Sequence, residues 1–115
     1  MKKVEHKLQS QIMLEFGNLS WIRIWRANTG VAVGGDGRVV RFGLLGQADI
    51  SGIISPHGRR LEIEVKTPTG RQSKPQRAFQ ATIESLGGLY ILARSLDDVH
   101  AAFEREGYYD EIQRD

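Results

Sequence analysis

Asp49-Ile50-Ser51-Gly52-Ile53-Ile54-Ser55-Pro56-His57-Gly58-Arg59-Arg60-Leu61-Glu62-Ile63-Glu64-Val65-Lys66 reads as two strands joined by a turn, and their pairing decides the fold. Side chains alternate across a strand, so Glu62, Glu64 and Lys66 share one face and Leu61, Ile63 and Val65 the other. The first strand runs from about Asp49 to Ser55. In Ser55-Pro56-His57-Gly58, proline at the second position and glycine at the fourth fit a type I turn. A turn centred between His57 and Gly58 sets Asp49 opposite Lys66; a slip of two residues sets it opposite Glu64. Both registers place Asp49 on the charged face and Ile50 and Ile54 on the apolar one. A one-residue slip would flip one strand's side chains and break the apolar pattern.

On the N-terminal side, Val4, Leu8, Ile12 and Phe16 recur at helical spacing, which predicts a helix over 4–16 ended by Gly17-Asn18. Trp21 to Ala27 alternates as a strand, with Trp21, Arg23 and Trp25 on one side. Val31–Val33 and Val39–Phe42 flank Gly34-Gly35-Asp36-Gly37, which is hairpin chemistry. On the C-terminal side, residues 67–72 are a polar loop. Ser73-Lys74-Pro75-Gln76 matches a capping box and opens a second helix, with Phe79, Ile83 and Leu86 as its core stripe and Gly87-Gly88 as its stop. Leu89–Ala93 is a short apolar run that suits a buried strand. A last helix opens at Ser95, turns Val99, Ala102 and Phe103 inward and ends at Gly107. Residues 108–115 read as a polar tail with two tyrosines. The order αβββ(β)αβα predicts one mixed α/β domain over 1–115.

Composition narrows the classes. The chain has 115 residues, 40% hydrophobic and 26% charged, the profile of an ordinary globular protein. No run approaches the ~20 apolar residues of a membrane helix. Charge returns too early after Met1 for a signal peptide, so a cytoplasmic location is expected. Without cysteine there are no disulfides, no zinc–thiolate site and no thiol nucleophile. A net charge of +2 permits nucleic-acid binding without arguing strongly for it. The three histidines are scattered, and none is assigned to a metal.

The charged face suits divalent-metal chemistry. Magnesium takes oxygen ligands, usually one or two carboxylates with water and substrate phosphate. Asp49 and Glu64 supply carboxylates, and the Val65 carbonyl offers a third oxygen. Lys66 would orient a water or balance developing negative charge. Clustered acids without a cation would raise one another's pKa, which is a physical reason for an Asp followed by Glu-x-Lys. The plain alternative is a solvated strand face, where exposed pairs contribute roughly 0.2–1 kcal/mol.

Gly46-Gln47-Ala48-Asp49-Ile50, Glu64-Val65-Lys66-Thr67, Gly70-Arg71 and Ser73-Lys74-Pro75-Gln76 together resemble the VRR-NUC family of the PD-(D/E)XK nuclease superfamily. Arg26-Ala27-Asn28-Thr29-Gly30 and an N-terminal helix carrying Glu5 fit the same layout, so the resemblance spans about residues 4–100. One departure is Ala48 in place of the proline of the superfamily name. The resemblance implies a restriction-endonuclease-like mixed sheet flanked by helices. It implies a magnesium- or manganese-dependent endonuclease with Asp49 as the motif aspartate, Glu64 as the second acid and Lys66 as the lysine. It brings Glu5 in as a further metal ligand; the alternative is a first-turn glutamate favoured by the helix dipole. It turns Gln76 toward the site, where capping alone would leave it bonded to Ser73, with Gln80 one turn on as the alternative. Glu62 reads as supporting or solvated.

Arg26, Asn28, Arg71, Lys74 and Arg77 are the phosphate contacts expected for DNA, although Asn28 would also suit the turn before Gly30. Trp21 and Trp25 read as packing residues. Stand-alone members of the family are similar to phage-type Holliday-junction resolvases acting as homodimers, so branched DNA, twofold symmetry and a bacterial or phage-infected cell are expected. The Val31–Phe42 hairpin and the Trp21/Trp25 face are candidate dimer surface. The other class of function is a non-catalytic DNA-binding or assembly module on the same fold. RNA remains an open substrate, since no reader of a 2′-hydroxyl is identifiable.

Overall fold

The computed structural model describes residues 2–27 and 30–109. Its elements are α1 (Lys2–Phe16), β1 (Ile22–Arg26), β2 (Gly30–Val33), β3 (Val39–Phe42), β4 (Ile50–Ile54), β5 (Arg59–Val65), α2 (Lys74–Ser85), β6 (Leu89–Ala93) and α3 (Leu96–Arg105). The main sheet has the order β1-β4-β5-β6, antiparallel except for the parallel pair β5–β6. A mixed sheet flanked by three helices is, at this coarse level, the restriction-endonuclease-like architecture expected.

The apolar face builds the core. Ile22, Ile24, Ile50, Ile54, Leu61, Ile63, Val65, Leu89, Ile91 and Ala93 lie on it and meet Leu8, Ile12 and Phe16 of α1 and Val99, Ala102 and Phe103 of α3. Close packing of branched side chains makes this layer the main source of stability, at about 1.5–3 kcal/mol per fully buried large side chain. β4 and β5 pair with Ile50 opposite Ile63 and Ser51 opposite Glu62, which continues to Asp49 opposite Glu64. Of the two registers the sequence allows, the structure takes this one. The connection is not the expected type I turn. Ser55–Gly58 is a four-residue loop with a cis Ser55–Pro56 peptide, closed by the Gly58 N–H donating to the Ile54 carbonyl at 2.9 Å. With Ile54 paired to Arg59, the hairpin is centred on Pro56–His57.

β2 and β3 form the expected hairpin as a separate two-stranded sheet, with Val33 opposite Val39. Val33, Val39 and Val40 are exposed. Three expectations are corrected. α2 buries no residue; Phe79 and Ile83 are half-buried, and Leu86, at the C-cap, is 81% exposed. The helix lies on the polar face of the sheet near β6, where only part of its apolar stripe finds a partner. Trp21 precedes β1 and stacks on Tyr108, with Phe103 against its edge, so it does not share a face with Trp25. Tyr108 and Tyr109 do not belong to a polar tail: both pack on the core, and Tyr109 also contacts His100, which in turn meets Glu15. Residues 110–115 lie outside the described residues.

Candidate active site

The polar face carries Asp49, just before β4, and Glu62, Glu64 and Lys66 along and just after β5. Asp49 is fixed by its Oδ2 accepting the Val65 N–H at 2.8 Å. Glu64 is buried; its Oε2 accepts from Gln76 Nε2 at 2.7 Å and lies 3.3 Å from Lys66 Nζ. Among the described residues its buried Oε1 has no hydrogen-bond partner. Antiparallel register therefore brings one acid from each strand together, and the residue after β5 supplies the cation.

Electrostatics strains this cluster. Burial pushes the Asp49 carboxyl up, with Glu5 adding to the rise, against the Val65 N–H and Lys66. Glu64 is pushed up to about 7, first by burial and then by Asp49, while Lys66 works in the opposite direction. One buried and one half-buried carboxylate, both of raised pKa, and an unpartnered acceptor oxygen fit a divalent cation, which takes such oxygens and removes the cost of their charge. Glu5 is close enough to raise both acids electrostatically. It does not close a triad with them: among the described residues no three His, Asp or Glu side chains form a group able to hold a metal ion. Any cation there would rest on Asp49, Glu64 and backbone or solvent oxygens. The Val65 group seen in contact with the acids is its N–H.

The loop before β4 and the start of α2 hold the cluster in shape. Gly46 has a φ of +77°, and a Cβ there would sit 2.3 Å from the Pro75 carbonyl, so only glycine allows this close approach. That contact seats the first turn of α2. Gln76 does both things anticipated of it: its Oε1 accepts the Ser73 N–H at 2.8 Å in the capping box, and its Nε2 reaches Glu64. Gln80 instead bonds Gln72.

Glu62 is fully buried, which removes the solvated reading. Its carboxylate accepts from Ser51 Oγ at 2.8 Å and Arg60 Nε at 2.9 Å, and burial holds its pKa up. Three supporting residues escaped the sequence reading. Ser51 lies opposite Glu62, a pairing visible only once the register is known. Tyr90, raised to about 12 by burial, accepts from Gln72 Nε2 at 3.2 Å. Arg94 donates to the Thr67 and Gly70 carbonyls at 2.6 and 2.7 Å and closes the loop after Lys66.

The basic residues are less uniform. Arg71 and Lys74 are exposed, the first in the loop after Lys66 and the second opening α2. Arg77 is exposed but donates to the Gln72 carbonyl at 2.8 Å. Arg26 is bound to Gln9 and Ser10 and so ties β1 to α1. Asn28 lies outside the described residues. No family model, curated protein or solved structure matches the chain. No helix among the described residues is long and apolar enough to cross a membrane.

Proposed function

We propose that this chain is a VRR-NUC-type, magnesium- or manganese-dependent endonuclease that hydrolyses phosphodiester bonds in branched DNA, including four-way junctions, and acts as a homodimer. The observation that carries the proposal is Glu64: a buried carboxylate facing Asp49, held by Gln76 and Lys66, with one oxygen left without a partner. A merely solvated charged face would not bury and constrain these groups together. Asp49, Glu64 and the Val65 carbonyl would hold the cation, with Glu5 acting through its charge or through water. When bound, the cation supplies positive charge to the scissile phosphate and acidifies an attacking water.

The chain's own residues do the rest. The Val65 N–H and Gln76 fix the two carboxylates before substrate arrives, so little reorganisation is left for the reaction. Lys66, 15% exposed, lies where its ammonium can orient a water or offset charge growing on the phosphate. Arg71, Lys74 and Arg77 would meet the DNA backbone, giving affinity without reading sequence. Two copies on a twofold axis would match the symmetry of a four-way junction.

The test is a cleavage panel of labelled four-way junctions, flaps, nicked and linear duplexes and RNA, with magnesium or manganese. Junction cutting abolished by Lys66→Ala supports the reading. No cleavage of any substrate, or equal cleavage by the Lys66→Ala protein, sinks it and favours a non-catalytic DNA-binding module. Junction cutting by a protein that sediments as a monomer removes the dimer.

A further inference from the structure

α2 covers only part of the polar face, beside β5 and β6. Over β1 and β4 the same face is open and carries Arg23, Trp25 and Ile53, with Arg60 beside them on β5. Trp25 is 42% exposed and Ile53 46%. Trp25 therefore belongs to neither the core nor the Trp21 cluster. It lies opposite Ser51, one row of the sheet from Asp49, whose carbonyl accepts the Ala27 N–H. Two residues along a strand and one strand across amount to roughly 8 Å from Asp49, and two strands across to roughly 12 Å from Glu64. At about 3.4 Å per stacked nucleotide that is roughly two to four steps from the acids.

The chemistry of the patch is selective. The Arg60 guanidinium carbon lies 5.8 Å from the centroid of the Trp25 ring, and its Nε is fixed by Glu62, which is itself fixed by Ser51. The Arg60 side chain remains 48% exposed, with N–H donors left for an anion. Arg23 adds a second exposed cation, and Glu62, the carboxylate beside them, is buried and already bound. An occupant must bring a flat π face and negative charge together. A second copy on a twofold axis through this patch would set the guanidiniums of both copies side by side, which like charge disfavours. A paired duplex keeps its base faces stacked inside. An unpaired strand offers both requirements.

We infer that Trp25, flanked by Arg23 and Arg60, is a stacking platform for an unpaired nucleobase of a substrate strand, so that the strand entering the site is single-stranded on that side. This rests on the nuclease reading and narrows its branched substrates to those with unpaired bases beside the scissile phosphate, flaps ahead of fully paired four-way junctions. Base–aromatic stacking is sequence-tolerant, so the platform selects strand structure and not sequence.

The experiment measures binding in EDTA, with no catalysis, of a labelled oligothymidylate and a blunt duplex of equal length. Tryptophan emission is followed alongside, Trp21 being shielded by Phe103 and Tyr108. The single strand should quench the emission. Trp25→Ala should remove the quenching and weaken single-strand binding on the order of tenfold or more, with duplex binding nearly unchanged. Trp25→Phe should keep most of the affinity, and Arg23→Ala should reduce the salt slope by about one. Absence of quenching in the parent protein overturns the inference even if Trp25→Ala fails to fold. So does equal loss of duplex and single-strand binding. A lower sedimenting mass for Trp25→Ala with unchanged affinity overturns it in favour of a subunit surface. A parallel cleavage assay separates the two readings. Quenching that Trp25→Ala removes, in a parent protein that cuts nothing, leaves the platform standing and removes the nuclease. Cleavage with an unchanged KM in Trp25→Ala does the reverse.

Discussion

Replacing Glu64 by glutamine should make the metal-free protein more stable and abolish its response to metal. The carboxyl titrates near its ordinary 4.5 when unfolded and about 7 when folded. Between those values the folded state binds the extra proton, so stability falls as pH rises through that window and stays reduced above it. At about 1.4 kcal/mol per pKa unit, the ionised carboxylate costs the folded protein up to about 3 kcal/mol at pH 8. Glutamine removes the charge and leaves an amide oxygen to accept from Gln76. Part of the gain is lost because Lys66 loses its partner, so a net stabilisation of about 1–3 kcal/mol is expected, or roughly 4–15 °C in Tm for a domain of this size. Thermal melts of both proteins in EDTA at pH 5 and pH 8 measure it. The difference should be near zero or negative at pH 5 and positive at pH 8. Saturating manganese should stabilise the parent only, by about 2.7 kcal/mol at a hundred times Kd. A variant less stable than the parent by the same margin at both pH values would refute the reasoning, because Glu64 would then not be held at a raised pKa.

Lys66→Ala should lower junction cleavage on the order of a hundredfold or more, judged from single-turnover rates, while DNA binding in EDTA stays nearly unchanged. Gln76→Ala loses half of the capping box and a part-buried bond to Glu64, so chemical denaturation should show a loss of about 1–2 kcal/mol; Gln76→Glu should be worse at pH 8 than at pH 5, since it adds a third acid. Gly46→Ala forces a Cβ to 2.3 Å from the Pro75 carbonyl at a φ of +77°, so its melt should fall by several degrees and metal binding by calorimetry should weaken with it. Replacing Val33 and Val39 by serine on the exposed hairpin should lower the sedimenting mass if that hairpin joins two copies.

The sequence carried the core face well, because alternation in β4 and β5 leaves only one way to bury Ile50, Ile54, Leu61 and Ile63 together. It left two registers open, since both satisfy that alternation and only the loop geometry at Ser55–Gly58 chooses between them. The same ambiguity hid Ser51 as the partner of Glu62. Leu86 was misplaced because helical spacing says which residues share a stripe, not how much of that stripe meets another surface. Trp25 was read as packing for a related reason: size and apolarity favour burial on average, and only the limited reach of α2 reveals that this part of the face is left open. Gln76 could be read as either cap or site contact because each role asks for the same side chain, whose amide has an oxygen for one and a nitrogen for the other.

The two faces of the sheet set stability against charge. One buries branched aliphatic side chains between the strands, α1 and α3, and contributes most of the folding energy. The other gathers Asp49, Glu62 and Glu64 under partial cover, where each carboxyl is shifted upward and one oxygen has no partner. Such a cluster persists only because the opposite face over-determines the backbone that carries it. Every neighbour that constrains the acids also leaves them short of positive charge: Gln76 and the Val65 N–H bring dipoles, and Lys66 brings a single cation for two carboxylates. The deficit is one that a divalent ion would remove, and a phosphate approaching Arg71 and Lys74 would share that ion with them. The physical content of the nuclease proposal lies in that unbalanced charge, which a melt in EDTA can measure before any DNA is added.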